Sequence, residues 1–260
     1  MYFIDTHSHL YLKQFNEDRV QVVHNAINAG IKNILLPNID SSTTSSMNTL
    51  CENFPNNCYP MMGLHPCSVQ KETMEVELQH VESELKKKKY IAVGEIGIDL
   101  YWESSTLDIQ KEAFTCQIEL AKENNLPIVI HVRNSFKEAI EIVEKMNDAN
   151  LSGVFHCFSG NKKDAERIIN LNGFYLGIGG VVTFKNSELA NTIKNIDLKH
   201  IILETDAPFL SPAPFRGKRN ESKYIIDIAK KICDIKNNTI DKVAKVTSEN
   251  ANILFRLNSG

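Results

Sequence analysis

Tyr2-Phe3-Ile4-Asp5-Thr6-His7-Ser8-His9 opens the chain as an apolar run that ends on a His-x-His pair. Side chains two apart on an extended strand share a face, so His7 and His9 aim two imidazoles at one point. Neutral imidazole is a common ligand for zinc, manganese and related ions, which makes this strand end a candidate metal site. Taken alone, the pair also fits a strand fraying into solvent, because motifs of two residues recur by chance. What decides is that later apolar runs also end on histidine or carboxylate.

Seven more short apolar runs follow, at residues 32–37, 59–64, 90–95, 128–131, 153–156, 173–177 and 200–204; with 2–6 they make eight. They are nearly continuous in apolar residues, as parallel strands buried on both faces are. Helical patterns lie between them. Leu107, Phe114, Ile118 and Ala121 form one apolar stripe, and Ile225, Ile228, Ile232 and Ile235 another. Ser135-Phe136-Lys137-Glu138 reads as a capping box that starts a helix after the fifth strand. The stretch 250–255 reads as the end of a closing helix, and the lysines at 86–89 as a solvated last helical turn. No composition shift, Pro/Gly-rich linker or low-complexity segment marks a boundary. The expectation is one α/β domain over residues 1–260, a (β/α)8 TIM barrel of about the usual length. A doubly wound sheet is the alternative, but the glycine-rich first turn common in such folds is missing.

Composition narrows the partners. The apolar fraction of 42% and charged fraction of 23% are ordinary for a water-soluble domain. A net charge of −3 gives no global basic field, so any polyanion must be held by a local cluster. The six cysteines (Cys51, Cys58, Cys67, Cys116, Cys157 and Cys233) show no CxxC and no framework spacing, and read as free thiols of a reducing compartment. With no leader pattern before Asp5 and no apolar run near the ~20 residues of a membrane helix, the expectation is a cytoplasmic monomer.

The strand ends carry the chemistry. The first ends on His7 and His9, the third on His65, the fourth on Glu95, the fifth on His131, the sixth on His156 and the eighth on Asp206. In a barrel the carboxyl ends of all strands converge on one face, so these residues would meet in one pocket. Five of the eight histidines fall at such positions; His24, His80 and His200 do not. Taken singly, Asp206 reads as a helix N-cap and a lone His131 or His156 as a core histidine. Jointly, that many ionisable groups on one rim are costly to bury without a metal or mutual pairing. Four histidines and two carboxylates also exceed the three or four ligands of a mononuclear zinc site. Two divalent ions, of magnesium, manganese or zinc, suit the set. Glu95 is the natural bridge, with His7, His9 and Asp206 completing one ion and His131 and His156 the other. Cys157 alternates away from His156 and reads as a packed thiol. Arg133, two residues past His131, shares its side of the strand exit. Arg216, Lys218 and Arg219 make a basic loop after the eighth strand, where barrels often hold phosphate. Tyr101, Trp102 and Phe158 sit in the same loops and fit either base stacking or loop packing.

In order along the chain, Asp5-Thr6-His7-Ser8-His9, Gly63-Leu64-His65-Pro66, Gly94-Glu95-Ile96-Gly97-Ile98-Asp99, His131-Val132-Arg133, His156-Cys157-Phe158-Ser159-Gly160, Glu204-Thr205-Asp206-Ala207-Pro208 and Phe215-Arg216-Gly217-Lys218-Arg219-Asn220-Glu221 resemble the TatD family of metal-dependent hydrolases over nearly the whole chain. Some members lack the first-strand His-x-His, which is present here; where the family usually has proline after Asn-Glu, this chain has Ser222. The resemblance implies a metal-binding TIM barrel with deoxyribonuclease activity. On that basis Asp206 is expected to act as ligand and general base, with Glu95 beside it. His65 is expected to contact the phosphate or leaving oxygen, while Arg133 and the Arg216 loop balance developing charge. The expected substrate is DNA trimmed from single-stranded or frayed ends. The alternative is a metal-dependent esterase such as a D-aminoacyl-tRNA deacylase, an assignment also found in the family.

Overall fold

The computed structural model describes residues 1–257. Eight strands alternate with helices. The strands are β1 (Phe3–Asp5), β2 (Ile31–Pro37), β3 (Cys58–Met61), β4 (Val93–Asp99), β5 (Ile128–Arg133), β6 (Gly153–Phe155), β7 (Phe174–Ile178) and β8 (Ile201–Leu203). The helices are α1 (Arg19–Asn28), α2 (Ser41–Asn53), α3 (Met74–Leu85), α4 (Leu107–Glu123), α5 (Phe136–Met146), α6 (Lys162–Ile169), α7 (Leu189–Ile193), α8 (Ile225–Lys236) and α9 (Ile240–Phe255). Each apolar run of the sequence forms a strand, and both apolar stripes lie on helices, α4 and α8.

All strand pairs are parallel and follow chain order, β1-β2-β3 in one sheet and β4 to β8 in the other. Backbone hydrogen bonds join the sheets at both seams. Between β3 and β4, Met62 N donates to Ala92 O (3.1 Å) and Gly94 N to Met62 O (2.9 Å). Between β8 and β1, Thr6 N donates to Leu203 O (3.1 Å), Asp206 N to His7 O (2.8 Å) and His9 N to Ala207 O (2.7 Å). The ring of eight strands is the TIM-barrel architecture.

The strand period of two divides the core. Ile4, Leu35, Met61, Val129, Val154 and Ile202, from six strands, pack with Ala251, Leu254 and Phe255 of α9. The other faces of the strands pack outward against the helices. Val129, Val154 and Ile202 stand two residues before His131, His156 and Glu204, so one inward face carries apolar packing and then ionisable groups at the strand exits. Helix α5 begins where expected, but no capping box forms: Ser135 Oγ donates to Ile98 O (2.6 Å) at the end of β4. Donating to that strand-end carbonyl turns the hydroxyl oxygen away from the helix's own amides. The lysines at 86–89 follow α3 and are exposed, with Lys86 paired to Glu82 at 2.7 Å.

Candidate metal centre

Glu95 lies at the middle of the strand-exit rim, 2% exposed. Its two oxygens face different histidines. Oε2 is 3.1 Å from His7 Nε2 and 3.4 Å from His9 Nε2, while Oε1 is 2.7 Å from His131 Nδ1, 2.7 Å from His156 Nε2 and 3.3 Å from His65 Nε2. Asp206 closes the β8 side, with Oδ1 3.7 Å from His7 Nε2 and 3.6 Å from His9 Nε2. The sequence-predicted ligands His7, His9, Glu95, His131, His156 and Asp206, and with them His65, therefore meet in one place. Three sets bring donor atoms within 4.8 Å of one another: His7, His9 and Glu95; His7, His156 and Asp206; and His65, Glu95 and His131. His156 thus belongs to both halves, and its ring stacks on that of His7 (3.8 Å, 8°).

Local backbone makes this convergence possible. Register between β4 and β5 pairs Gly97 with His131. Gly97 has φ +139°, and a Cβ there would stand 2.1 Å from His131 O, so only glycine lets the strands meet where Glu95 and His131 do. Asp206 has φ +58° and begins no helix; the next helical turn is Ser222–Tyr224. The N-cap reading of Asp206 is therefore excluded, and its side chain turns to His7 and His9.

Two imidazoles, His9 and His131, are held from behind by hydrogen bonds, and His156 has a carboxylate nearby; this the sequence did not disclose. His9 Nδ1 is 2.8 Å from Tyr11 Oη, whose hydroxyl donates to Pro37 O (2.5 Å). Tyr11 must then accept from His9 Nδ1–H, which leaves the Nε2 lone pair facing Glu95. His131 Nε2 lies 2.9 Å from Asp99 Oδ2, which turns Nδ1 inward. His156 Nδ1 lies 3.5 Å from Glu204 Oε1, a fully buried carboxylate that also accepts the Cys157 N–H. Asp5, fully buried, accepts from Thr205 N (2.9 Å) and Thr205 Oγ1 (2.6 Å), fixing the backbone just before Asp206. Outer carboxylate and hydroxyl partners of this kind orient metal-binding imidazoles. A period of two past the strand ends, Gly97-Asp99 and Glu204-Asp206, was the available signal for two of them.

Electrostatics agree with a cation seat. Burial would raise the pKa of Glu95, but His156, His65 and His7 together hold it well below the usual carboxylate range. Burial, with His156 beside it, holds His7 well below the ordinary imidazole value. Burial would lower His156 too, yet Glu95 and Glu204 carry it well above. Burial pushes Asp206 up to about 7. Inward lone pairs on His9 and His131, a bridging carboxylate and a second carboxylate form a donor set that fits divalent cations, for which protons compete.

The rim residues divide. Arg133 Cζ stands 3.5 Å over the centroid of the Tyr101 ring, and Tyr101 and Trp102 are exposed, 52% and 74%. Phe158, by contrast, is 1% exposed and packs on Phe136, so it is core and cannot stack on a substrate base. The cause is Cys157, whose φ of +46° breaks the alternation and turns Phe158 inward. The Cys157 thiol is pushed well above its ordinary pKa by burial, as suits a packed thiol. Arg216 is exposed over Phe184 (3.8 Å), and Lys218 is exposed. Arg219 is instead bound by both guanidinium arms to Asp18 (2.8 and 2.6 Å), with Phe15 beneath it, which takes its fork away from any substrate.

Residues 4–256 match the family model described as TatD related DNase. The metal-dependent hydrolase YabD of Bacillus subtilis is 38% identical over 255 residues, 98% of this chain and 99% of that protein. The metal-dependent hydrolase YjjV of Escherichia coli is 30% identical over 258 residues, 98% of each. The crystal structure of YjjV, a TatD homologue, superposes with a TM-score of 0.92 at 29% identity, covering 98% of both chains.

Proposed function

The chain belongs to the TatD-related DNase family and is a metal-dependent hydrolase; from that premise we propose that it is a deoxyribonuclease trimming DNA from single-stranded or frayed ends. The observation that carries the reading is the carboxylate of Glu95, one oxygen facing His7 and His9 and the other facing His131 and His156. Such a group would hold two divalent ions, of magnesium, manganese or zinc, with His7, His9 and Asp206 toward one and His131 and His156 toward the other. Divalent ions bound there would supply polarisation of a phosphoryl oxygen and a lowered pKa for water.

The chain's own groups supply the rest. Asp206, whose carboxylate turns to His7 and His9, is the group placed to accept the proton of the attacking water. His65 stands further out, its side chain 14% exposed. Its Nδ1 accepts the Cys67 N–H (3.0 Å), so Nε2 carries the proton of the neutral ring and points it into the site. His65 is therefore the donor to the leaving oxygen. Glu95 keeps the histidines in place as an ionised anchor. Arg133, Arg216 and Lys218 are the exposed cations for backbone phosphates, and a chain of net charge −3 has few others at this rim. Few phosphate contacts suit a short footprint at a chain end.

The test presents labelled single-stranded, duplex and closed circular DNA, and D-aminoacyl-tRNA, with magnesium, manganese or zinc and a chelator control. Metal-dependent shortening of single strands from an end is the expected result. Circular duplex cut as readily as linear single strands removes the end-trimming reading. Inert DNA with deacylated D-aminoacyl-tRNA puts the esterase in its place.

A further inference from the structure

The β4–α4 loop carries an exposed aromatic surface that hydrolysis at the metal centre does not use. Trp102, 74% exposed, stands perpendicular to Tyr101 (ring centroids 4.9 Å, 90°). The Arg133 guanidinium covers Tyr101 at 3.5 Å and lies 5.8 Å from the Trp102 ring. Among the described residues, no hydrogen bond or ion pair engages the Arg133 N–H groups. Tyr101 and Trp102 together form one exposed aromatic patch with a cation beside it, a combination suited to a ligand that is both aromatic and anionic.

The surface is also wired to the centre. Asp99 bonds His131 Nε2 through Oδ2 (2.9 Å) and the Tyr101 backbone N–H through Oδ1 (2.9 Å). Leu100 N donates to Arg133 O (2.9 Å), so the loop leaves β4 pinned to the exit of β5. One carboxylate thus sets both an inner imidazole and the aromatic pair.

We propose that Trp102, with Tyr101 and Arg133, is a nucleobase subsite: the indole face stacks on one unpaired base, and Arg133 takes the phosphate next to it. The proposal rests on the deoxyribonuclease reading and names the part of the substrate that reading leaves open. A π-face accepts any base, so the subsite selects unpaired over paired strands without selecting sequence. A base inside a duplex is already stacked and is excluded.

Trp102 is the chain's one tryptophan, so its fluorescence reports this position alone. The metal-loaded protein is titrated with a phosphorothioate single strand, an abasic strand of equal length, and a blunt duplex. The base-bearing strand should quench Trp102 and the abasic strand should not. Kinetics on a normal oligonucleotide should show KM rising about tenfold or more in Trp102→Ala, with kcat moving far less, and Trp102→Phe recovering most of the loss. The Ala variant should also stop distinguishing base-bearing from abasic ends. Equal quenching by the abasic strand, or an unchanged KM in Trp102→Ala, overturns the subsite while leaving the deoxyribonuclease reading intact. A single strand that the wild-type protein neither binds nor cuts overturns both.

Discussion

Two stretches of the same rim carry similar sequence signals and fold to opposite ends. The strand exits place His7, His9, Glu95, His131, His156 and Asp206 around one point. The loop after β8, with Arg216, Lys218 and Arg219, looks as dense in functional residues, yet its cations diverge. Arg219 is spent on Asp18, Arg216 rests on Phe184, and Lys218 points to solvent. A strand end fixes direction through its period of two. A loop leaves each side chain to find its own partner. Convergence is thus a property of the scaffold, not of the residue types.

Removing the most central strand-exit group should have the largest effect. Glu95→Ala is expected to abolish activity and to empty both halves of the centre in elemental analysis, while His9→Ala empties mainly one. Full metal content in the Glu95 variant would show that the two halves are independent. Next is Asp206→Asn, which keeps the fold and costs about 10²–10⁴ in turnover, read in single-turnover kinetics. Near-normal turnover would return Asp206 to a purely structural part. A smaller loss tests the outer partners: Asp99→Asn or Tyr11→Phe should weaken metal binding about 10–100-fold by titration against a competing chelator. The smallest effects separate the loop arginines. Arg216→Ala should flatten the dependence of DNA affinity on salt by roughly 0.7 in log–log slope. Arg219→Ala should leave that slope alone and lower the unfolding midpoint, by about 0.2–1 kcal/mol of stability for a half-exposed pair. A salt effect in the Arg219 variant would mean that Asp18 releases it to substrate.

Legibility in the sequence follows the same division. All eight strands could be read because burial on both faces forces apolar runs, and the candidate ligand histidines because they continue those runs. The central place of Glu95 followed from strand order. Tyr11 and Asp99 escaped because their part depends on which ring nitrogen they meet, and that is set by rotamers and not by spacing; Asp5 escaped because its partner, Thr205, lies 200 residues away. Phe158 was ambiguous because nothing in His156-Cys157-Phe158 announces a residue at positive φ. Ser135 misled because the partner that orients its hydroxyl, Ile98 O, lies 37 residues away.

The seam between β1 and β8 has a consequence for synthesis. Asp5 and Thr205, bonded across it, are 200 residues apart, and His7 faces Asp206 beside them. The ribosome releases the first half of this centre about 200 residues before the last half. At about 5–20 residues per second, His7 and His9 wait on the order of ten to forty seconds for Asp206 to emerge. Throughout that interval the nascent chain carries an incomplete site. A site assembled this way gains its last carboxylate only when β8 has emerged to close the ring.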